Sequence, residues 1–158
     1  MTRRYSIPWL DFGGSPISTV VVSDDGTVHL AGIVAQDIVA APERPLESVA
    51  AKKTAERETL LILGAVRDVL AALHMEMSDI TSCLVHLSDL NDFESMNAAF
   101  RLHFGAAGPA RTTVQAAKLV LGARVELTVV AKRPRHSVFP CLSAAPLPPG
   151  EALTLVKK

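Results

Sequence analysis

The 158-residue sequence is poor in cysteine and in net charge. Its two cysteines, Cys83 and Cys141, lie far apart and outside any C-x-x-C pattern, so neither a disulfide framework nor a structural zinc site is indicated. Sixteen basic and sixteen acidic residues cancel, so no overall field draws the chain to nucleic acid or to an anionic membrane. The five histidines show no H-E-x-x-H or paired spacing, which argues against a metal site.

Long apolar runs are also missing from the sequence. No uninterrupted apolar run approaches the ~18 residues that a membrane-spanning helix needs, and the first residues, MTRRYSIPWLDFGG, include no apolar segment of signal-peptide length. These absences predict a cytoplasmic protein. Hydrophobic residues make up 49% of the chain and charged residues 20%, which is typical of a globular domain. We expect one domain at residues 1–133 and a Pro-rich C-terminal extension at residues 134–158, packed as an extended arm on its own or a neighbouring subunit.

The spacing of apolar residues predicts an α+β fold. The runs ISTVVV and TVHLAG flank an Asp-Gly turn signal and predict a β-hairpin. Helical spacing predicts two helices, from about Glu47 to Leu73 and from Leu90 to Phe104. Further strands are predicted from Thr81 onward, from Arg111 to Ala116 and from Arg124 to Ala131. This order favours two helices on one face of a mixed β-sheet, with the other face buried by further subunits because several strands are apolar on both sides.

Arg111 is an unusual residue to open a strand. In the stretch GPARTTVQ it precedes residues that favour β-structure, and alternation places it on the same face as Thr113. We expect the last two strands to pair as a hairpin, which would set Glu126 opposite Arg111 on one face. The alternative for Arg111 is a solvated side chain at a sheet edge, where a charge blocks unwanted pairing.

Asn97 is a polar residue within an apolar helical stripe, which Phe93, Phe100 and Phe104 form. A buried amide keeps its place only if its hydrogen bonds are met. Asn97 therefore either ties down a loop or belongs to a site.

Three blocks of the sequence resemble a known family. The blocks AGIVAQD, LSDLNDFESMNAAF and GPARTTVQAAKLVLGARVELTVVA are similar in order and spacing to the Rid or YjgF family of reactive-intermediate deaminases, over about residues 14–132. The resemblance implies a chorismate-mutase-like fold that assembles as a homotrimer, with a central barrel and clefts between subunits. It also implies hydrolysis of a 2-imino acid, or its enamine tautomer, to a 2-keto acid and ammonia, without a metal or organic cofactor.

The resemblance also implies roles for single residues. Arg111 would hold the substrate carboxylate, to which a guanidinium offers two parallel N–H donors, and Glu126 would hold the attacking water. The cleft would further be lined by Gly32, Thr113 and Asn97. The chain departs from the family pattern at four positions: Ile17 replaces a frequent tyrosine, Ala31 a serine, Thr113 a cysteine or serine, and Val120 a proline. These changes predict a more apolar pocket, suited to imines of larger apolar amino acids.

Two other functions stay open. Arg111 alone would equally serve a non-catalytic binder or sensor of small carboxylate metabolites, although Glu126 favours catalysis because a second negative charge does not help to bind an anion. Endoribonuclease activity is a label that the family has also carried. The neutral charge balance and the lack of interleaved basic and aromatic residues do not favour it, and Lys132, Arg133 and Arg135 form only a short basic cluster.

Overall fold

The computed structural model describes residues 2–38, 54–133 and 154–155. Within these residues the chain forms one sheet and two longer helices, α1 (Ala55–Ala72) and α2 (Phe93–Phe104). The strands are β1 (Arg3–Ser6), β2 (Val20–Val22), β3 (Thr27–Leu30), β4 (Ile33–Val34), β5 (Ile80–Leu87), β6 (Ala110–Gln115), β7 (Val125–Lys132) and β8 (Thr154–Leu155). Residues 47–53, where the first helix was expected to begin, lie outside the described residues.

The sheet is mixed, and the predicted α+β class is confirmed. Its strands follow the order β6-β5-β7-β3-β2-β1-β8, with β4 also paired to β7. Only β5 and β6 run parallel among the described pairs. The predicted hairpin is β2–β3, whose turn has Gly26 at φ 83° and the Asp25 carboxylate accepting the N–H of Thr27 at 3.0 Å. β1 was not predicted from the sequence.

The expected pairing of the last two strands is wrong. β5 lies between β6 and β7, pairing parallel with the first and antiparallel with the second. The cause is a crossover: β5, α2 and β6 form a β-α-β unit, and a helical connection returns the chain parallel to the strand it left. The short link between β6 and β7 resembles a hairpin loop in the sequence, but it carries the chain across β5.

The core lies between the helices and one face of the sheet. α1 begins after Thr54, whose side chain accepts the N–H of Arg57 at 3.2 Å, and its apolar stripe is fully buried. The stripe packs on the inward residues of the central strands, among them Val85, Leu127 and Val129. Burying each such side chain contributes about 1.5–3 kcal/mol to stability.

The opposite face of the sheet remains partly apolar and exposed in the single chain. Leu84 is 37% exposed and Val114 is 40% exposed, on neighbouring strands of this face. The link between β6 and β7 covers another part of the same face, where Leu119 and Ala123 pack on Val34. This face, called the open face below, has the apolar character that the sequence predicts.

The C-terminal extension is described only at β8. There Leu155 pairs with Tyr5 and Thr154 with Ser6, so β8 adds an antiparallel strand beside β1. The remainder of the predicted arm lies outside the described residues, and the boundary at residue 133 stays a prediction. No helix in the described parts of the chain combines the length and hydropathy needed to cross a bilayer.

Candidate functional site

Arg111 lies on β6, at the edge of the sheet, and extends over the helix-facing side. Its register partner on β5 is the buried Cys83. Nη2 of Arg111 donates to Oδ1 of Asn97 at 2.6 Å, and the guanidinium carbon lies 4.6 Å from the ring centroid of Phe100. A guanidinium stacked on an aromatic face is held in one plane. Arg111 is therefore an oriented fork, unlike a freely solvated edge arginine.

Asn97 fixes the other side of this fork. Its Nδ2 donates to Glu94 Oε1 at 3.3 Å, one turn earlier on α2, which turns the amide oxygen toward Arg111. Phe93 completes the aromatic surroundings, with its ring centroid 5.7 Å from the guanidinium carbon. The structure thus brings together two residues that the sequence singled out separately, and we call Arg111, Asn97, Phe93 and Phe100 the clamp.

Burial changes the electrostatics of the clamp. It lowers the pKa of Arg111, an effect that the neighbouring Cys83 partly opposes. The guanidinium remains charged at any ordinary pH, because its reference pKa is above about 12. Burial raises the pKa of the Cys83 thiol to about 11, so this sulfur is a neutral core group. A charge in partly desolvated surroundings attracts a carboxylate more strongly than one in water.

Thr113 follows two residues after Arg111 and lies on the same side of β6, in register with Val85. Its Oγ1 is buried and has no hydrogen-bond partner among the described residues. Buried hydroxyls normally find partners. Thr113 therefore offers an unused donor and acceptor close to the clamp.

Glu126 lies on the other side of the sheet, which corrects the expectation that it faces Arg111. It is in register with His86 on β5, whereas Arg111 is in register with Cys83, an odd number of residues away. Side chains alternate between faces along a strand, so Arg111 points to the helices and Glu126 to the open face. The two charges that were expected to flank one spot are separated by the sheet within one chain.

Gly32 lies directly beneath the Glu126 side chain. A Cβ atom added at Gly32 would lie 2.2 Å from Oε1 of Glu126 and 3.4 Å from Oγ1 of Thr128. Only glycine allows the carboxylate to rest there. Gly32 and Glu126, both predicted site residues, therefore form a second group on the open face.

Asp37 is a member of this second group that the sequence analysis missed. It is 5% exposed, and its Oδ2 accepts the N–H of Val34, the register partner of Glu126, at 2.9 Å. Burial raises the pKa of Asp37; the Val34 N–H opposes the rise, and repulsion from Glu126 and Asp11 adds to it. The only available signal was an acidic residue closing the block AGIVAQD.

Ile17 lies in the loop before β2 and is 51% exposed, with its backbone N–H bonded to the Ser15 carbonyl at 2.8 Å. Its part in a site stays a prediction. Among the described residues, no group of three or more His, Cys, Asp and Glu side chains is arranged to hold a metal ion. A single chain thus presents the clamp on one face of the sheet and the Glu126 carboxylate over Gly32 on the other.

Known proteins similar to this chain carry several names. Protein DfrA from Myxococcus xanthus is 33% identical over 115 residues, which is 73% of this chain and 72% of that protein. The 2-iminobutanoate/2-iminopropanoate deaminase of Capra hircus is 28% identical over 116 residues, 73% of this chain and 79% of that protein. The chloroplastic Reactive Intermediate Deaminase A of Arabidopsis thaliana is 32% identical over 79 residues, 50% of this chain and 42% of that protein.

Solved structures show the same fold. Yeast Mmf1 matches with a TM-score of 0.69 at 18% identity, covering 85% of this chain and 100% of that chain. RidA from the Antarctic bacterium Psychrobacter sp. PAMC 21119 matches with a TM-score of 0.65 at 22% identity, covering 79% of this chain and 94% of that chain. The model of the family described as endoribonuclease L-PSP matches residues 15–133. With three quarters of its length matched to that model, and its fold shared with RidA, the chain belongs to the endoribonuclease L-PSP family, also called the YjgF or Rid family.

Proposed function

We propose that this protein hydrolyses 2-imino acids, or their enamine tautomers, to 2-keto acids and ammonia. The observation that carries the proposal is the division of the chain into the clamp at Arg111 and a carboxylate over Gly32 at Glu126, on opposite faces of one sheet. The names of the Capra hircus and Bos taurus relatives, both 2-iminobutanoate/2-iminopropanoate deaminases, support this reaction.

A site that uses both Arg111 and Glu126 has to be made by two subunits. Arg111 cannot meet Glu126 within one chain, because β5 and the thickness of the sheet separate them. The exposed Leu84 and Val114 offer an apolar surface on the open face for neighbouring chains to cover. We therefore propose a homotrimer in which the clamp of one subunit faces Glu126 of the next, without metal or organic cofactor.

The reaction needs little beyond these groups. The clamp binds the substrate carboxylate through charge-assisted hydrogen bonds, each contributing on the order of 1.5–3 kcal/mol. Glu126 accepts a proton from a water molecule as the water oxygen bonds to the imine carbon. The π electrons of the imine move to the nitrogen, which takes up this proton and gives a carbinolamine. The proton of the new hydroxyl group then passes through Glu126 to the nitrogen, the carbon–nitrogen bond breaks, and ammonia leaves as the keto group forms.

We infer the substrate class from the surroundings of the clamp. Phe93 is 37% exposed beside Arg111, and Leu90, at the turn before α2, is 47% exposed. An apolar substrate side chain would bury part of this surface. We expect imines of larger apolar amino acids to be preferred over those of small or charged ones.

Mixed oligomers provide the sharpest test. Imines are generated from several amino acids by an amino-acid oxidase, and release of keto acid is measured with the wild type, Arg111→Ala and Glu126→Gln. Each variant alone should lose the acceleration. After the two are unfolded and refolded together in equal amounts, about one quarter of the clefts should combine an intact Arg111 with an intact Glu126 and recover activity.

The control mixes Arg111→Ala with the Arg111→Ala/Glu126→Gln double variant, which cannot form an intact cleft. Wild-type acceleration without recovery in the first mixture would reject the shared site. If the wild type accelerates no imine but binds 2-keto acids in an Arg111-dependent way, the protein is a carboxylate binder and the hydrolysis is wrong.

A further inference from the structure

We propose that His86 is a positioning residue for Glu126 and that the two side chains exchange a proton during the reaction. This inference rests on the proposed function, since it concerns the same site. It also concerns a side chain that neither the sequence analysis nor the family comparison assigned to the site.

The strand register places His86 beside Glu126. The two residues are paired between β5 and β7 and face the same side of the sheet. Directly paired residues of antiparallel strands have Cβ atoms about 4.5–5.5 Å apart. An imidazole and a carboxylate at this spacing can exchange a proton directly or through one water molecule.

The hydrogen bonding of His86 is incomplete. Its Nδ1 is buried and has no partner among the described residues. A buried polar atom without a partner costs stability, so its presence calls for an explanation. A hydrogen bond to Glu126, formed while the two side chains share a proton, would supply a partner for His86.

The exchange uses a rotation of the Glu126 side chain. Its carboxylate rests over Gly32, on the side of β7 away from β5, and rotation about the side-chain bonds brings it towards His86. Glu126 takes the proton of the attacking water and passes it to His86. His86 returns this proton through Glu126 to the imine nitrogen, and the hydroxyl proton of the carbinolamine follows the same route, so that none is gained or lost when ammonia leaves.

Other charged groups near His86 and Glu126 are already engaged. The Arg124 guanidinium, just before β7, donates to Asp92 at 2.8 Å, and Asp37 accepts the Val34 N–H. The flanking residues on the β6 side, Val114 and Thr112, carry no charge. Glu126 is thus the charged register partner of His86, and an imidazolium would hold the carboxylate as an ion pair and weaken it as a base.

The first test compares His86→Gln with the matched control His29→Gln. His29 lies on the same face but is exposed and paired with Val130, further along β7. We expect His86→Gln to lower kcat/KM at pH 7 by about 10-fold or more. Groups that transfer a proton directly to or from the substrate contribute about 100- to 10,000-fold. The ratio of wild-type to His86→Gln rates should rise with pH between about 5 and 8, where imidazoles lose their proton.

The ratio removes the pH dependence of the imine itself, because both proteins meet the same substrate at each pH. His29→Gln should give a ratio near one at every pH. A constant ratio for His86→Gln, whatever its size, would mean a packing role and overturn the inference.

The second test does not depend on catalysis, so it separates this inference from the proposed function. The ring signals of His86 are compared by NMR at one pH in the wild type and in Glu126→Gln. Removing the neighbouring carboxylate should change the chemical shifts of the His86 ring and leave those of His29 in place. Unchanged His86 signals reject the coupling, even if the protein hydrolyses imines.

Discussion

At the scale of single residues, the unpartnered hydroxyl of Thr113 predicts a contact with a ligand. Its hydroxyl is buried without a partner among the described residues, next to Arg111, so the folded chain gains nothing from it. We expect Thr113→Val to leave the free energy of unfolding unchanged or raised by about 1 kcal/mol, and to lower kcat/KM because a contact to the ligand is lost. Urea unfolding and imine hydrolysis measure the two effects, and a variant with wild-type activity would remove Thr113 from the site.

Asp37 carries a pH dependence at the same scale. Because burial raises its pKa in the folded chain, its contribution to stability is fully present below the ordinary aspartate range and is lost as pH rises through the folded pKa. The amide of an Asp37→Asn variant would carry no charge and would keep an oxygen for the Val34 N–H. Asp37→Asn should therefore gain stability relative to the wild type as pH rises from about 4 to 7.

Urea unfolding at several pH values tests this, with Asp24→Asn in the exposed β2–β3 turn as the control. If Asp37→Asn and the wild type differ in free energy of unfolding by the same amount at every pH, the cause assigned to the raised pKa is wrong.

At the scale of elements, Glu58 joins α1 to the beginning of β7. It is 3% exposed, and its Oε2 accepts the N–H of Arg124 at 2.8 Å and of Val125 at 3.1 Å. Truncation leaves two backbone donors without an acceptor, so Glu58→Ala should lower the free energy of unfolding by about 2–4 kcal/mol. Glu58→Gln keeps one acceptor oxygen and should lose less. Equal losses in thermal or urea unfolding would show that packing, and not the hydrogen bonds, secures this strand.

At the scale of the whole molecule, the proposed assembly depends on the open face. Leu84 is 37% exposed in the centre of that face, paired with Thr112 and Thr128. A charge there should cost little in one chain but much in a covered interface. We expect Leu84→Asp to fold with unchanged circular dichroism, to elute as a monomer in light-scattering chromatography, and to lose imine hydrolysis. An assembled Leu84→Asp would show that subunits meet elsewhere, and Leu102→Asp, on the 72% exposed outer side of α2, is the matched control.

The sequence predicted most of the fold because helical and strand periodicities come from local burial. The α1 stripe, the β2–β3 turn and the clamp residues Arg111 and Asn97 all follow from such patterns. Strand order failed because it depends on where a crossover returns the chain, which adjacent residues do not encode. The prediction that Glu126 faces Arg111 was wrong for the same reason. His86 and Asp37 were missed because only the folded chain brings them close to Glu126.

The separation of Arg111 from Glu126 by the sheet leads to an expected dependence of activity on protein concentration. Under the shared-cleft proposal a dissociated chain holds both groups and no complete site, so each dilution that splits the assembly removes catalytic capacity as well as subunits. Activity per milligram should then fall below the dissociation concentration and return on reconcentration. Total activity in a cell would then rise more steeply than in direct proportion to the expression level.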